Sequence, residues 1–537
     1  VLSRNIRPYL VFVLILLAAG AVSVLLGQDS NCDLYSYHIY NPYAFLTGRL
    51  GQDFLAGGLQ SYANPLPDIP YYLMLKYLNT HPLLVAFIQG FYYGALCFFV
   101  YLISFTVLKP ETKRDFIFPC LAFLIGVTNV FLVSEAGTNF NDITVGIFIL
   151  LAFYILIKNL FEPESKKRTI LIFLSGLLFG VITGFKLTAA IFVIGIILSV
   201  LCSYKKIAGF KKILAILLFG CIAGFLLTNG WWMYLVYSQY KNPFFPFFNS
   251  IFQSEYYPLE SIRDARFLPS DLSRWLFYPF YWISFSTKTL YGGYAAELPF
   301  IDLRYAFCYL SVLLLAGLNL FSLFKKKDEG QGQQTQNFLV LFIVFSYVIW
   351  LSLFSILRYF IPCACLTGII IMLAIKELFL RMPQNRRFIG VVVAVLITLV
   401  TLFCVKYISW GRGEYSSEIL TPPDLKIADN SIVFLNRGSQ MAMMSYLIPF
   451  QNPNAHYIGI LLDKDTTVMS EPDNIYEKMA DKYVNEGKIN KFYLLIDCDK
   501  TGLIGQIKYF RSGKFKCVPF EEPRKLRESG ACMCESL

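Results

Sequence analysis

Apolar runs long enough to cross a bilayer recur through the first 410 residues of this chain, and their succession limits what it can fold into. A spanning helix needs about 20 consecutive apolar residues to traverse a hydrocarbon core of roughly 30 Å. The first run is Pro8 to Leu26. Others lie near 83–108, 116–133, 143–160, 169–184, 187–203, 213–236, 305–324, 338–357, 359–380 and 388–408, so eleven spans are expected. Only 15% of the residues are charged, whereas a soluble chain carries about 25%. A soluble enzyme, a fibrous protein and a disordered chain are thereby excluded. The net charge of +11 would suggest nucleic acid in a soluble protein. Here the basic residues fall between apolar runs and read as topology determinants, so no nucleic-acid partner is expected.

Those basic residues fix a direction. Arg4 and Arg7 precede the first run, which is long and lacks a convincing small-x-small cleavage site after it, so it reads as a retained span with its N-terminus inside. Lys109, Lys113 and Arg114 follow the second run, and Lys166, Lys167 and Arg168 follow the fourth. Lys205, Lys206, Lys211 and Lys212 follow the sixth, Lys325 to Lys327 the eighth, and Arg381, Arg386 and Arg387 the tenth. Each cluster falls on the cytoplasmic side of an N-inside chain. The stretch 169–203 is short for two spans, but both flanks are basic, so it goes out and returns with its turn at Gly184-Phe185-Lys186. The expected fold is an all-α membrane domain over 1–410, with outer loops 27–80 and 237–300. A small extracytoplasmic α/β domain is expected over 411–537.

The tail is polar, with strand-like SIVFLN and KFYLLID and an amphipathic helix in EPDNIYEKMADKYVNEG. Cys498, Cys517, Cys532 and Cys534 lie in it, and an oxidising compartment would permit disulfides. Three pairings are possible and sequence does not choose among them. No histidine is near them, and His38, His81 and His456 are too scattered for a typical metal site, so no metal ligands are assigned.

Candidate chemistry clusters in the loops. Asp33, in DSNCDLYSYHIYNPY, lies a few residues beyond the first span among Tyr35, Tyr37, His38 and Tyr40. A carboxylate there could take the proton of an attacking hydroxyl, with Tyr35 and His38 as substrate-binding candidates; equally, it could cap the helical pattern running to Leu46. In SEAGTNFNDITVGIF, Glu135, Asn141 and Asp142 bracket the second outer loop, and Asp142 is also placed to cap the next span. Two outward carboxylates could position an acceptor or hold a divalent ion, though neither is required. Lys186 is the single charge in a long apolar stretch, a functional candidate by default, against a snorkelling helix-end lysine. Gly176, Gly180 and Gly184 recur every four residues and suggest close helix packing. Arg358, on the side the charge rule disfavours, suits a phosphate through its fork, against an ion pair with a loop carboxylate. Lys288 and Arg304, in the large loop with YKNPFFPFFNS, could add positive charge for a lipid phosphate. The phenylalanines of that motif are expected along the lipid interface.

These residues, taken in order, resemble the GT-C superfamily of polyprenyl-phosphate-sugar-dependent membrane glycosyltransferases, of the aminoarabinose transferase and protein mannosyltransferase type. The features that carry the likeness are Asp33 after the first span, Asn141-Asp142, Gly184-Phe185-Lys186-Leu187-Thr188, Asn242-Pro243-Phe244-Phe245-Pro246, and Arg358-Tyr359 followed by Pro362. The paired acidic motif of many members is absent, Asp33 being followed by Leu34, and so is a WWD-type motif in the tail. The resemblance implies Asp33 as catalytic base, Asp142 as its support, and Arg358 with Lys186 on the donor phosphate. It further implies inverting transfer of a sugar from a polyprenyl-phosphate donor to a lipid, glycan or protein acceptor at the outer face of a bacterial cytoplasmic membrane. Because phosphate is a good leaving group, no cofactor is obligatory. Alternatives are a lipid-linked saccharide transporter or flippase, and a polysaccharide polymerase or ligase. Against transport, no paired halves are visible in the sequence.

Overall fold

A computed structural model of the chain describes residues 6–283, 295–323, 330–383, 387–436, 444–462, 475–487, 489, 491–511, 514–520 and 530–537. Among the described residues, seven helices are long and apolar enough to cross a bilayer: Pro8–Leu26, Pro82–Leu108, Asp142–Asn159, Lys166–Phe185, Phe210–Tyr240, Gln331–Leu353 and Arg387–Cys404. An eighth crossing arises if Leu357–Ala364 and Thr367–Leu380, bent by 45°, form one broken span. Two further apolar helices, Ile117–Val127 and Leu187–Cys202, are shorter, and Arg304–Leu323 is apolar over Arg304–Leu318. Ile117–Val127 covers about 16 Å at 1.5 Å per residue, half the hydrocarbon thickness. The eleven runs are therefore all helical. Seven or eight of the described helices pass the measure of length and composition for a span. The chain is a multi-pass membrane protein.

The residues group into two compact units. The first comprises Val1–Leu26, Ala86–Thr228 and Ala265–Trp410. In it Lys166–Phe185 ends at Lys186, whose extended backbone (φ −143°, ψ 110°) breaks the helix before Leu187–Ala189 and Ala190–Cys202. The turn lies where the basic flanks require it. The glycine repeat has a partner on Phe210–Phe225. A Cβ on Gly176 would lie 2.3 Å from the Leu217 carbonyl oxygen, and one on Gly180 would lie 2.0 Å from that of Cys221. Reciprocally, Gly220 and Gly224 leave no room against the carbonyls of Phe173 and Leu177. Two small-xxx-small stripes thus let the backbones touch, which is how helices associate where lipid removes the hydrophobic drive. Gly180→Ala is expected to destabilise the protein by about 1–3 kcal/mol, the usual overpacking cost, seen as a lowered unfolding temperature. Gly317→Ala, with open space around it, serves as the neutral control.

The second unit comprises Gly27–Val85, Asn229–Asp264 and Gly411–Leu537. Its centre is a five-stranded sheet in the order His456–Ile460, Ser431–Asn436, Lys491–Asp497, Ala531–Ser536, Phe515–Phe520. The first three strands are parallel and the last two antiparallel. Ser431–Asn436 is buried throughout, as a central parallel strand with both faces covered should be. The strands at SIVFLN and KFYLLID and the helix Ile475–Glu486 fall where the sequence pattern puts them. The free edge of His456–Ile460 is closed by Phe54, which donates to Tyr457 O at 2.9 Å and accepts from Gly459 N at 2.8 Å, so the edge is not left open. Disulfides join Cys498 to Cys532 and Cys517 to Cys534. The latter links directly paired residues of the two antiparallel strands.

The NPFFPFFN motif folds on its asparagines. Asn242 accepts from Phe244 N and donates to Phe247 O, both at 2.9 Å, while Asn249 donates to the carbonyls of Ser254, Tyr257 and Pro258. Phe245 corrects the interfacial expectation: it is buried and stacks on Tyr240 at 4.5 Å. Phe248, 46% exposed, remains free to meet lipid.

Candidate active site

Each unit carries one cluster of the residues singled out by sequence. In the second unit the chain leaves the first span through Gln28 and Asp29, then turns at Asn31. Asp29 accepts from the Asn31 side chain at 2.6 Å, and Asn31 accepts from Leu34 N at 2.8 Å. Asn31 therefore caps the following turn. Asp33, the alternative capping candidate, has helical backbone and makes no capping hydrogen bond, so the cap reading of this residue fails. Its carboxylate is buried, at 5% residue exposure, and accepts from the Tyr37 hydroxyl at 3.1 Å. The spacing of four residues brings the two side chains together on one helical face. Tyr37 also lies against the His38 ring, with centroids 4.2 Å apart. His38 Nδ1 is 2.7 Å from Asp68 Oδ1, both residues being buried. Tyr35 points elsewhere: it is in the apolar core of the unit, edge-on to Tyr446 at 5.1 Å.

In the first unit, Asp142 opens the helix Asp142–Asn159 and is 2% exposed. Its Oδ1 accepts from Lys186 Nζ at 2.5 Å, while Oδ2 is buried without a hydrogen-bond partner among the described residues. Asn141 occupies the position before the helix without a side-chain cap bond, and Glu135, at the end of Val130–Glu135, is fully buried. Lys186 and Arg358 share one ring: Lys186 Nζ lies 5.0 Å and Arg358 Cζ 5.3 Å from the Tyr359 centroid. Arg358 also lies 5.1 Å from Phe140. Two cations held on aromatic faces, with one carboxylate bonded to Lys186, form a basic corner. It sits where Lys186 ends its helix and Arg358 opens the broken span.

Arg304 is not part of that corner. It is fully buried, pairs with Asp302 at 2.6 Å, and donates to the carbonyls of Ile125 and Thr128. Its guanidinium closes the C-terminal end of Ile117–Val127, where carbonyls lack helical partners. Lys288 lies outside the described residues. Among the described residues, no group of three or more His, Cys, Asp or Glu side chains could hold a metal ion. Sequence reasoning passed over Tyr37, Asp68, Phe140 and Tyr359 as site residues. The i,i+4 spacing to Asp33 was a usable signal for Tyr37; nothing local marks Asp68, 30 residues from His38.

No protein-family model and no curated protein matches the chain. Among solved structures, ArnT from Cupriavidus metallidurans bound to undecaprenyl phosphate matches with a TM-score of 0.50 and 10% identity, covering 98% of both chains. ArnT is a GT-C enzyme. The chain has the GT-C fold. An oligosaccharyltransferase from Archaeoglobus fulgidus, in complex with zinc and sulfate, matches with 12% identity over 92% of this chain and 70% of its own. Its TM-score is 0.47. Asp33 is buried beside this loop turn, whose capping bond is made by Asn31.

Proposed function

We propose that the chain is a membrane glycosyltransferase that moves a sugar from a polyprenyl-phosphate donor to a hydroxyl acceptor, with inversion. The observation that carries the reading is Asp33: a buried carboxylate just past the first span, oriented by a tyrosine and not consumed as a helix cap. A buried acceptor-only group beside the membrane surface suits a general base. Asp33 takes the acceptor's O–H proton as the acceptor oxygen bonds to the anomeric carbon. The bond from that carbon to the phosphate oxygen breaks, and the lipid phosphate leaves with the electron pair. Arg358 and Lys186 are assigned to the donor phosphate, where fixed positive charge favours the charge that develops on departure. Asp142 is assigned to holding Lys186. The undecaprenyl phosphate bound to the ArnT neighbour supports a polyprenyl carrier. Asp33 and the sheet unit are assigned to the outer side of a bacterial cytoplasmic membrane, following the alternation of basic clusters.

Purified chain supplied with a panel of polyprenyl-phosphate-linked hexoses and pentoses, plus lipid, glycan and peptide acceptors, is expected to yield one glycosylated product. Failure to transfer any of them would count against the reading. Within that assay Arg358→Ala should raise the donor KM at least about tenfold, the value of one charge-assisted hydrogen bond. Arg358→Lys should recover only part, because the planar fork is lost. An unchanged donor KM in Arg358→Ala would remove this residue from the phosphate site.

A further inference from the structure

We infer that Tyr37 is a positioning residue for Asp33, and that the His38–Asp68 pair is the support that holds Tyr37 in place. This deepens the general-base reading of Asp33 and rests on it. The Tyr37 hydroxyl donates to Asp33 Oδ2 at 3.1 Å, which constrains the rotation of the carboxylate. A tyrosine can hold a hydroxyl in one place only if its ring is held. Here one face lies against the His38 imidazole at a centroid distance of 4.2 Å. That imidazole is anchored through Nδ1 to Asp68 Oδ1 at 2.7 Å, both residues buried. The assembly is built from two stretches of the loop, 33–38 and Asp68. It has the form of a base, an orienting donor and a fixed backing. His38 thereby acquires a structural part in the reaction in place of the substrate contact expected from sequence.

The side chains near Asp33 include Tyr37 and Cys32, with the His38–Asp68 pair beyond the Tyr37 ring. Cys32 keeps its proton because its pKa is raised, first by desolvation and then by the charge of Asp33. It adds no competing charge at neutral pH.

The test uses the full chain in three forms, Asp33→Asn, Tyr37→Phe and the double variant. Tyr37→Phe keeps the ring on His38 and removes only the hydroxyl. We expect it to lower kcat by about ten- to a hundredfold, the range for a hydrogen bond to a charged group. Donor KM should be unchanged. In the Asp33→Asn background the same change should have no further effect, since a residue acting through Asp33 has nothing left to orient. A merely structural Tyr37 would reduce the yield of folded protein and leave kcat per folded molecule in place, or would add its loss to that of Asp33→Asn in the double variant, and either result overturns the inference. Near-parental activity of Asp33→Asn would instead overturn the general-base reading, and the inference with it.

Discussion

Asp33→Asn is expected to give a folded, membrane-inserted protein that still binds donor lipid but turns over about 10²–10⁴-fold more slowly, the usual value of general-base catalysis. The substitution keeps size and most hydrogen bonding and removes the proton acceptor. Asparagine can still accept from the Tyr37 hydroxyl through its carbonyl, so the local fold should survive. Because Asn31 is the residue that caps the turn, accepting from Leu34 N, the change touches no cap. Any loss of activity therefore reports chemistry. Single-turnover rates on purified protein, with donor binding measured separately, are the readout. Activity within a few-fold of the parent would move the base elsewhere, with Asp142 the next candidate.

The largest expected loss of stability comes from Asp53→Ala. Asp53 is buried and accepts from Arg49 Nε at 2.6 Å, Arg49 Nη2 at 2.7 Å, the Tyr40 hydroxyl at 3.0 Å and Tyr457 N at 3.0 Å. Arg49 in turn donates to the carbonyls of Pro453 and Ala455, each at 2.7 Å. This network fastens the segment after the first span to the edge of the sheet inside the second unit. Burial opposes the charge on Arg49, yet its hydrogen bonds to Asp53 and the attraction of that carboxylate leave its pKa raised. Removing Asp53 leaves a guanidinium buried without its counter-charge, which costs about 3–5 kcal/mol. A double Arg49→Met, Asp53→Leu variant should lose less than the single variant, since no uncompensated charge remains. Thermal unfolding of the purified chain separates the cases. A single variant no less stable than the double would contradict this account of the network.

Much of the architecture was legible because it follows from periodicity. The eleven apolar runs, the turn at Lys186, the strands at SIVFLN and KFYLLID and the helix after EPDN all recur in the fold, each set by local pattern. The eleven runs outnumber the seven or eight described helices of spanning length, because at a short element such as Ile117–Val127 an apolar run alone does not fix a crossing. For the site, loop position marked Asp33, Asp142, Lys186 and Arg358. What surrounds them depends on long-range packing. Arg304 reads as an exposed loop cation, yet Asp302 and two helix-end carbonyls enclose it. Tyr35 and Tyr37 are two residues apart and chemically alike, but the helical turn sends one to the core against Tyr446 and the other to Asp33.

The central claim, that this chain breaks a sugar–phosphate bond and does not merely carry the intact lipid, is tested by following donor doubly labelled in sugar and polyprenyl. Reconstituted protein with a competent acceptor should release polyprenyl phosphate in equimolar amount with glycosylated product, with the anomeric configuration inverted, and Asp33→Asn should suppress both together. Donor that remains intact and only changes leaflet, at a rate indifferent to Asp33→Asn, would contradict the account.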